Sequence, residues 1–370
     1  MSRMWAIVER ELRRFRRSPF LIVVSMIFPL VQLVILGYAF GGNVKHLKLA
    51  IVDQDHGLPA VKVRELAQAV SAGARTVDLV DYADQGQAVN DLRNGRVNGV
   101  LTIPPEFSRR MLQKNQPKVA LIEDNTDNVV AGALAGSLNS MLVAYNEPPT
   151  VARVPAKATL DVVEVYPYVP YIQYLLPGSI AMSIFMMVMI GGGIIFIDDK
   201  ARGLHEGYLV TPITKLELIA GFNISGTIKA VLAGFAIMLV GSVIAGVPNP
   251  FDPLRVLRLF VVINVTAFAL ISMMFLLMVR ITDPLMPRAI FGVLNTVLYF
   301  PSGAVYPQQG FPGWMQVIAK IDPFTYSVHA FKSLLLKNTG FEAITGDLLY
   351  LLAFSAVTMT AATMLFKRTL

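Results

Sequence analysis

The sequence predicts an α-helical polytopic membrane protein of six transmembrane helices, with an α/β extracytoplasmic domain inserted after the first. Three observations lead there. Charged residues are 15% of the chain and apolar ones 54%, with a mean hydropathy of +0.56, whereas soluble domains carry about 25% charged residues. Apolar runs of spanning length recur at 20–44, 173–197, 218–251, 259–279, 289–319 and 348–366. Between the first two, strand and helix patterns alternate in a stretch of ordinary soluble composition.

The formal net charge of +7 invites a nucleic-acid reading, but its distribution argues against one. Residues 43–170 hold 13 Lys/Arg and 14 Asp/Glu, and the apolar remainder holds 19 and 11. Basic residues gathered beside apolar spans are a mark of membrane topology. There is no cysteine, so disulfides, cysteine-ligated metals and thiol nucleophiles are excluded.

Residues 1–18 read as a cytoplasmic amphipathic helix lying in the membrane interface. Trp5, Val8, Leu12 and Phe15 recur at helical spacing. Arg10, Arg13 and Arg14 are suited to anionic headgroups. Residues 19–42 form the first span, with a kink expected at Pro29. Its apolar run is too long for a signal-peptide core.

Residues 43–172 carry strand patterns at 47–53, 76–82, 97–103, 118–123 and 160–166, with helices expected at 59–72, 85–94, 106–114 and 128–145. This alternation implies an α/β layer structure. Residues 173–370 hold spans two to six. The 31 uncharged residues 289–319 exceed one crossing, and Pro301, Gly303, Pro307, Gly310, Pro312 and Gly313 break the second half. The fifth span is expected at 289–306, with 307–345 as an external re-entrant segment.

Charge orients the spans. The segments 1–17, 198–217, 280–288 and 367–370 carry 13 Lys/Arg, and the short loops 252–258 and 307–347 carry 5. The richer side faces the cytosol. Both termini are expected there, and residues 43–172 outside, as in a multi-pass protein of a bacterial cytoplasmic (inner) membrane.

No nucleotide-binding G-x-x-x-x-G-K-[ST], no H-E-x-x-H and no G-x-S-x-G occurs, and the four histidines are scattered. Neither catalysis nor a bound cofactor or metal is expected of this chain. Lys229 sits inside the third span, and an intramembrane charge is a functional candidate by default. It is expected to meet an anionic headgroup or substrate on a transport path, unless it lies near the interface. Gly191-Gly192-Gly193 ends span two, as a close-packing site or as a hinge.

The polar stretch DKARGLHEGYLVTPI (199–213), followed by KLELIAG, resembles the cytoplasmic loop of exporter permeases of the ABC-2 family. The family pattern is R-G-T-x-E-x-L-L-V-T-P-I, which Arg202, Gly203, Glu206, Leu209, Val210, Thr211, Pro212 and Ile213 match. Leu204 replaces the usual Thr, Ala201 a frequent Glu, and Gly207 a longer side chain. YFPSGAVYP, FPGWMQ and DPFTYSVHAFK (322–332) resemble the broken segment after the family's fifth span. The resemblance covers nearly the whole chain.

It implies a dimer of permease chains, identical or related, each bound to a separate cytosolic ATPase that holds ATP and Mg. The loop 198–217 would form a coupling helix that touches this ATPase together with the N-terminal helix. Arg202 and Glu206 would make polar contacts, Leu209 and Val210 would pack the helix down, and Pro212 would end it. The expected cargo is a hydrophobic or amphipathic drug or lipid, with a periplasmic adaptor as a further partner. The alternative is a membrane-anchored scaffold whose external domain recruits an envelope or adaptor partner. A gradient-driven transporter would show internal repeats or several intramembrane carboxylates, and spans two to six have neither.

Overall fold

The computed structural model describes residues 2–41, 46–74, 77–124, 128–146, 168–194, 196–197, 203, 211–281, 283 and 285–365. The chain divides into two units, Met1–Gly41 with Glu164–Leu370, and Gly42–Val163.

In the first unit, α1 (Ser2–Arg16) is followed by α2 (Pro19–Gly41). Among the described residues five helices are long and apolar enough to cross a bilayer: Ile22–Ala39, Tyr171–Ile194, Lys215–Ile244, Pro253–Met278 and Phe341–Leu365. At about 1.5 Å per residue, helices of 20 or more residues cover the roughly 30 Å hydrocarbon layer. The centre is α7 (Tyr171–Val188), whose side chains are buried almost throughout. It packs against α2, α8 (Lys215–Ile244), α9 (Pro253–Met278) and α12 (Pro323–Leu335). By contrast α2 leaves Phe20, Ile27, Val31 and Ile35 exposed, a surface suited to lipid.

Local chemistry sets the helix ends. Thr214 and Glu217 form a reciprocal capping box at the start of α8, which satisfies amides that otherwise lack partners. Gly246, at φ +67°, ends that helix's C-terminal turn. Asp252 caps α9 by accepting from the Arg255 amide. The run expected to cross at 289–306 gives a shorter helix. It makes α10 (Met286–Tyr299), of 14 residues, which reaches only about 21 Å. Pro301 and Gly303, the latter at φ +83°, stand in the turns that follow. α11 (Gly313–Ile321) precedes α12, and α13 (Thr345–Leu365) closes the described chain. Phe324, Val328, Phe331 and Leu334 of α12 are buried in the common core.

The unit is organised end to end. Gln173 donates to the carbonyls of Ala245 and Gly246 at 3.2 and 3.0 Å. Arg255 donates to Pro248 O at 2.6 Å and to Asn338 at 3.1 Å. The start of α7, the end of α8, the start of α9 and residues 336–341 therefore gather at one end. α1 and the start of α8 mark the other.

The second unit is a four-stranded sheet in the order β2-β1-β3-β4. Its strands are β1 (Leu47–Asp53), β2 (Val77–Tyr82), β3 (Gly99–Ile103) and β4 (Ala120–Glu123). β1 pairs parallel with β2 and β3, with Ile51 opposite Asp81 and Leu101, and β4 runs antiparallel to β3. Alternation sends Leu47, Leu49 and Ile51 to one face, against α3 (Leu58–Ala74), α5 (Phe107–Leu112) and α6 (Asn128–Asn146). Ala50, Val52 and Val100 turn to the other, against Ala88 and Leu92 of α4 (Gln85–Arg93). The strand expected at 160–166 lies outside the described residues.

Candidate functional site

The end of the first unit that carries α1 holds most of the residues singled out in the sequence. Of the stretch 199–213, Arg202, Glu206, Leu209 and Val210 lie outside the described residues. Gly203 takes a φ of +71°, a left-handed conformation that glycine adopts without a steric penalty. Thr211 and Pro212 form a turn leading to the Thr214 cap. The exposed Pro212 offers its carbonyl to Arg3 Nη1 at 2.5 Å, so the exit of the loop is tied to the start of α1.

α1 lies against α8. Its buried side chains are Ile7, Val8 and Glu11, and Phe15 is partly buried against the same core. Trp5 is 58% exposed and Leu12 only half-buried, so the inward face is turned from the one formed by Trp5, Val8, Leu12 and Phe15. Gly221 explains the docking. A Cβ there would meet Ile7 Cβ at 3.0 Å and the Met4 carbonyl at 3.2 Å, tighter than ordinary contact, so glycine eases the close approach of the helices. The outward face carries Arg10, Arg13, Arg14 and Arg17 around an open groove of about 530 Å³, and Arg13 pairs with Glu9 one turn away.

Lys229 has a carboxylate of this chain as its partner. Nζ lies 2.9 Å from Glu11 Oε2 and 3.2 Å from the Gly191 carbonyl. Both side chains are at most 3% exposed. A lone lysine at that depth would lose its hydration without return, and the carboxylate supplies the missing charge. Arg10 Nη1 stands 3.6 Å from the other Glu11 oxygen. In the sequence Glu11 was legible only as one of two acidic residues, with Glu9, in an arginine-rich helix. The pairing was not, because 218 positions separate it from Lys229.

The Gly191 carbonyl belongs to Met189–Ile194, where α7 widens into a π-helical turn. Such turns release carbonyls from the regular ladder and recur at functional sites. The glycines here also allow close packing. A Cβ on Gly192 would lie 2.5 Å from Ile271 of α9, and one on Gly193 would collide with Met274. Thus α1, α8 and the end of α7 meet at one ammonium group. Among the described residues no cluster of His, Cys, Asp and Glu is suited to a metal ion.

A profile described as "ABC-2 family transporter protein" matches residues 19–364. The chain is 23% identical over 372 residues to "Probable multidrug ABC transporter permease YbhR" of Escherichia coli (strain K12), covering 99% of this chain and 98% of that protein. It is 24% identical over 377 residues to "Probable multidrug ABC transporter permease YbhS" of the same organism, covering 98% and 96%. "Inner membrane transport permease YhhJ" from that strain is 25% identical over 296 residues, with coverage of 75% and 74%. The profile runs from the first residue of α2 to the penultimate residue of α13 and so takes in every long apolar helix, and on that match the chain belongs to the ABC-2 family of transporter proteins.

Proposed function

We propose that this chain is the membrane subunit of an ATP-driven exporter, moving a hydrophobic or amphipathic drug or lipid outward across a bacterial cytoplasmic membrane. A separate cytosolic ATPase, holding ATP and Mg, docks on residues 199–213 and α1. Arg202 and Glu206 make the polar contacts, Leu209 and Val210 pack the loop down, and Thr211 and Pro212 end it. Two permease chains form the working dimer. Both termini are cytosolic, residues 43–172 form an extracytoplasmic α/β domain, and α10 with the turns after it makes the sixth crossing. Lys229 acts in this scheme as an internal anchor rather than as a ligand for cargo.

One observation carries the reading. The loop's exit at Pro212 is bonded to Arg3, and α1 is locked to α8 through Glu11 and Lys229. A push on the loop would therefore be delivered to α8 and to the π-helical end of α7 as a rigid displacement, not absorbed by a slack connection. The excess of Lys/Arg at this end supports its cytosolic placement. The drug or lipid cargo draws on the names of the relatives.

The test is reconstitution with a candidate ATP-binding cassette ATPase subunit from the same genome. ATP hydrolysis should rise with the permease present and rise further with cargo. Glu206→Arg should abolish transport and cargo-stimulated hydrolysis while the protein still reaches the membrane. Unchanged transport and hydrolysis in that variant would refute the docking scheme.

A further inference from the structure

At the end of the first unit opposite α1 lies a cavity of about 610 Å³. Its walls come from α7, the turns after α10, α11, α12 and α13. Lys332 of α12 reaches across it. Nζ donates to the Gly303 carbonyl at 2.6 Å and stands 3.4 Å from the centroid of the Tyr174 ring. The Tyr174 hydroxyl donates to the same carbonyl at 3.3 Å. One contact is a hydrogen bond and the other a cation–π contact, so the ammonium group keeps a donor for a ligand. On the next turn of α12, His329 places Nδ1 2.7 Å from Asp347 Oδ2. With Nδ1 so engaged, Nε2 has no hydrogen-bond partner among the described residues. Lys320 of α11 completes the cationic lining, against Asp347 as its one acid.

This concentration of charge is unexpected on this side. The loops 252–258 and 307–347 hold only five Lys/Arg. Arg255 and Arg258 are spent on chain carbonyls, yet two of the remaining three line this cavity. Beside it, α11 exposes Trp314, Val317 and Ile321 at 66%, 57% and 67%, spaced to share one helical face. A cationic cavity next to an exposed apolar strip matches a ligand with an anionic head and an apolar tail.

We infer that this cavity binds the phosphate headgroup of an anionic amphiphile, with Lys332, His329 and Lys320 as its ligands and the Trp314 face of α11 beside the tail. The site is independent of the ATPase reading. Burial lowers Lys332 to about 7, and the hydrogen bond to Asp347 raises His329. Tyr174, Lys320, Tyr326 and Asp347 are the other titratable groups facing them, and the charge of Lys337 also bears on His329. An arriving phosphate favours the protonated forms of both, so binding weakens as pH rises through that range.

The experiment is native mass spectrometry of the full chain in detergent, titrated with phosphatidylglycerol, phosphatidylcholine and inorganic phosphate. Phosphatidylglycerol should bind at least about tenfold more tightly than phosphatidylcholine, and more tightly at pH 6 than at pH 8.5. Lys332→Met should remove that preference and Lys332→Arg should keep most of it. Lys320→Gln, at an exposed position whose change leaves the core intact, should weaken it severalfold and carries the test if Lys332→Met misfolds. Competition by millimolar inorganic phosphate would assign recognition to the phosphate alone, and its failure to compete would assign it to the lipid headgroup. Equal affinity for the two lipids, or full preference retained in the Lys332→Met and Lys320→Gln variants, overturns the inference.

Discussion

Replacing Glu11 by Gln tests the anchor between α1 and α8. The carboxylate is 2.9 Å from Lys229 Nζ, and neither side chain is more than 3% exposed. The substitution keeps the shape and one acceptor but leaves a buried ammonium group without its counter-charge. Breaking a buried pair from one side costs about 3–5 kcal/mol. At about 1.4 kcal/mol per decade, that shifts the equilibrium for release of α1 from α8 by roughly two to three and a half orders of magnitude. The remaining bond to the Gly191 carbonyl at 3.2 Å is a dipole contact and restores only part of this. Removing both charges should be far milder, because an apolar pair of similar volume is often as stable as a buried ion pair. Glu11→Gln should therefore raise hydrogen exchange in peptides covering residues 2–17 and weaken coupling to the ATPase. Adding Lys229→Met should recover most of the protection. Equal exchange in wild type and Glu11→Gln, or a double variant worse than the single one, would show that the pair does not hold α1 in place.

Two further perturbations probe other parts of the chain. Burial raises the Asp55 carboxyl, but hydrogen bonds from the Ser108 hydroxyl and from the amides of Ser108 and Gly57 outweigh it and leave the group below its usual 3.8. A depressed carboxyl contributes stability above its unfolded value, lost as pH falls through the folded one. Hydrogen exchange at residues 53–60 and 104–110, corrected for intrinsic rate, should thus rise below about pH 4 in wild type, whereas Asp55→Asn should be less protected at pH 7 and flat across that range. In the membrane unit, a Cβ on Gly178 would lie 2.6 Å from Ala304 Cβ and 3.2 Å from its Cα. Because backbone rather than a flexible side chain resists it, Gly178→Ala should cost about 1–3 kcal/mol, read as a lower melting temperature in detergent.

Much of the architecture was legible because it rests on local composition. Hydropathy over a window of about 20 residues locates the long helices. β1 spans Leu47–Asp53, where period-two alternation put a strand. The DKARGLHEGYLVTPI stretch and the motifs after Tyr299 named the family from residues close in sequence. At 289–319 the sequence showed that the run is too long for one crossing and broken in its second half, but the helix stops at Tyr299, short of the expected 306, because hydropathy reports solubility in lipid and not where a helix ends. Pro301 and Gly303 stand just past the end of α10.

The sequence by itself determined that this chain is a membrane protein, where its long apolar runs lie, which loops carry the basic charge and which family it resembles. Each follows from properties of neighbouring residues. Only the tertiary structure decided that Lys229 is answered by Glu11, that α1 turns Ile7 rather than Trp5 inward, that the sheet runs β2-β1-β3-β4, and that Lys332, His329 and Lys320 share a cavity with Tyr174. These are pairings between residues tens to hundreds of positions apart. They are set by which surfaces fit when the helices and strands pack, and no local periodicity encodes them.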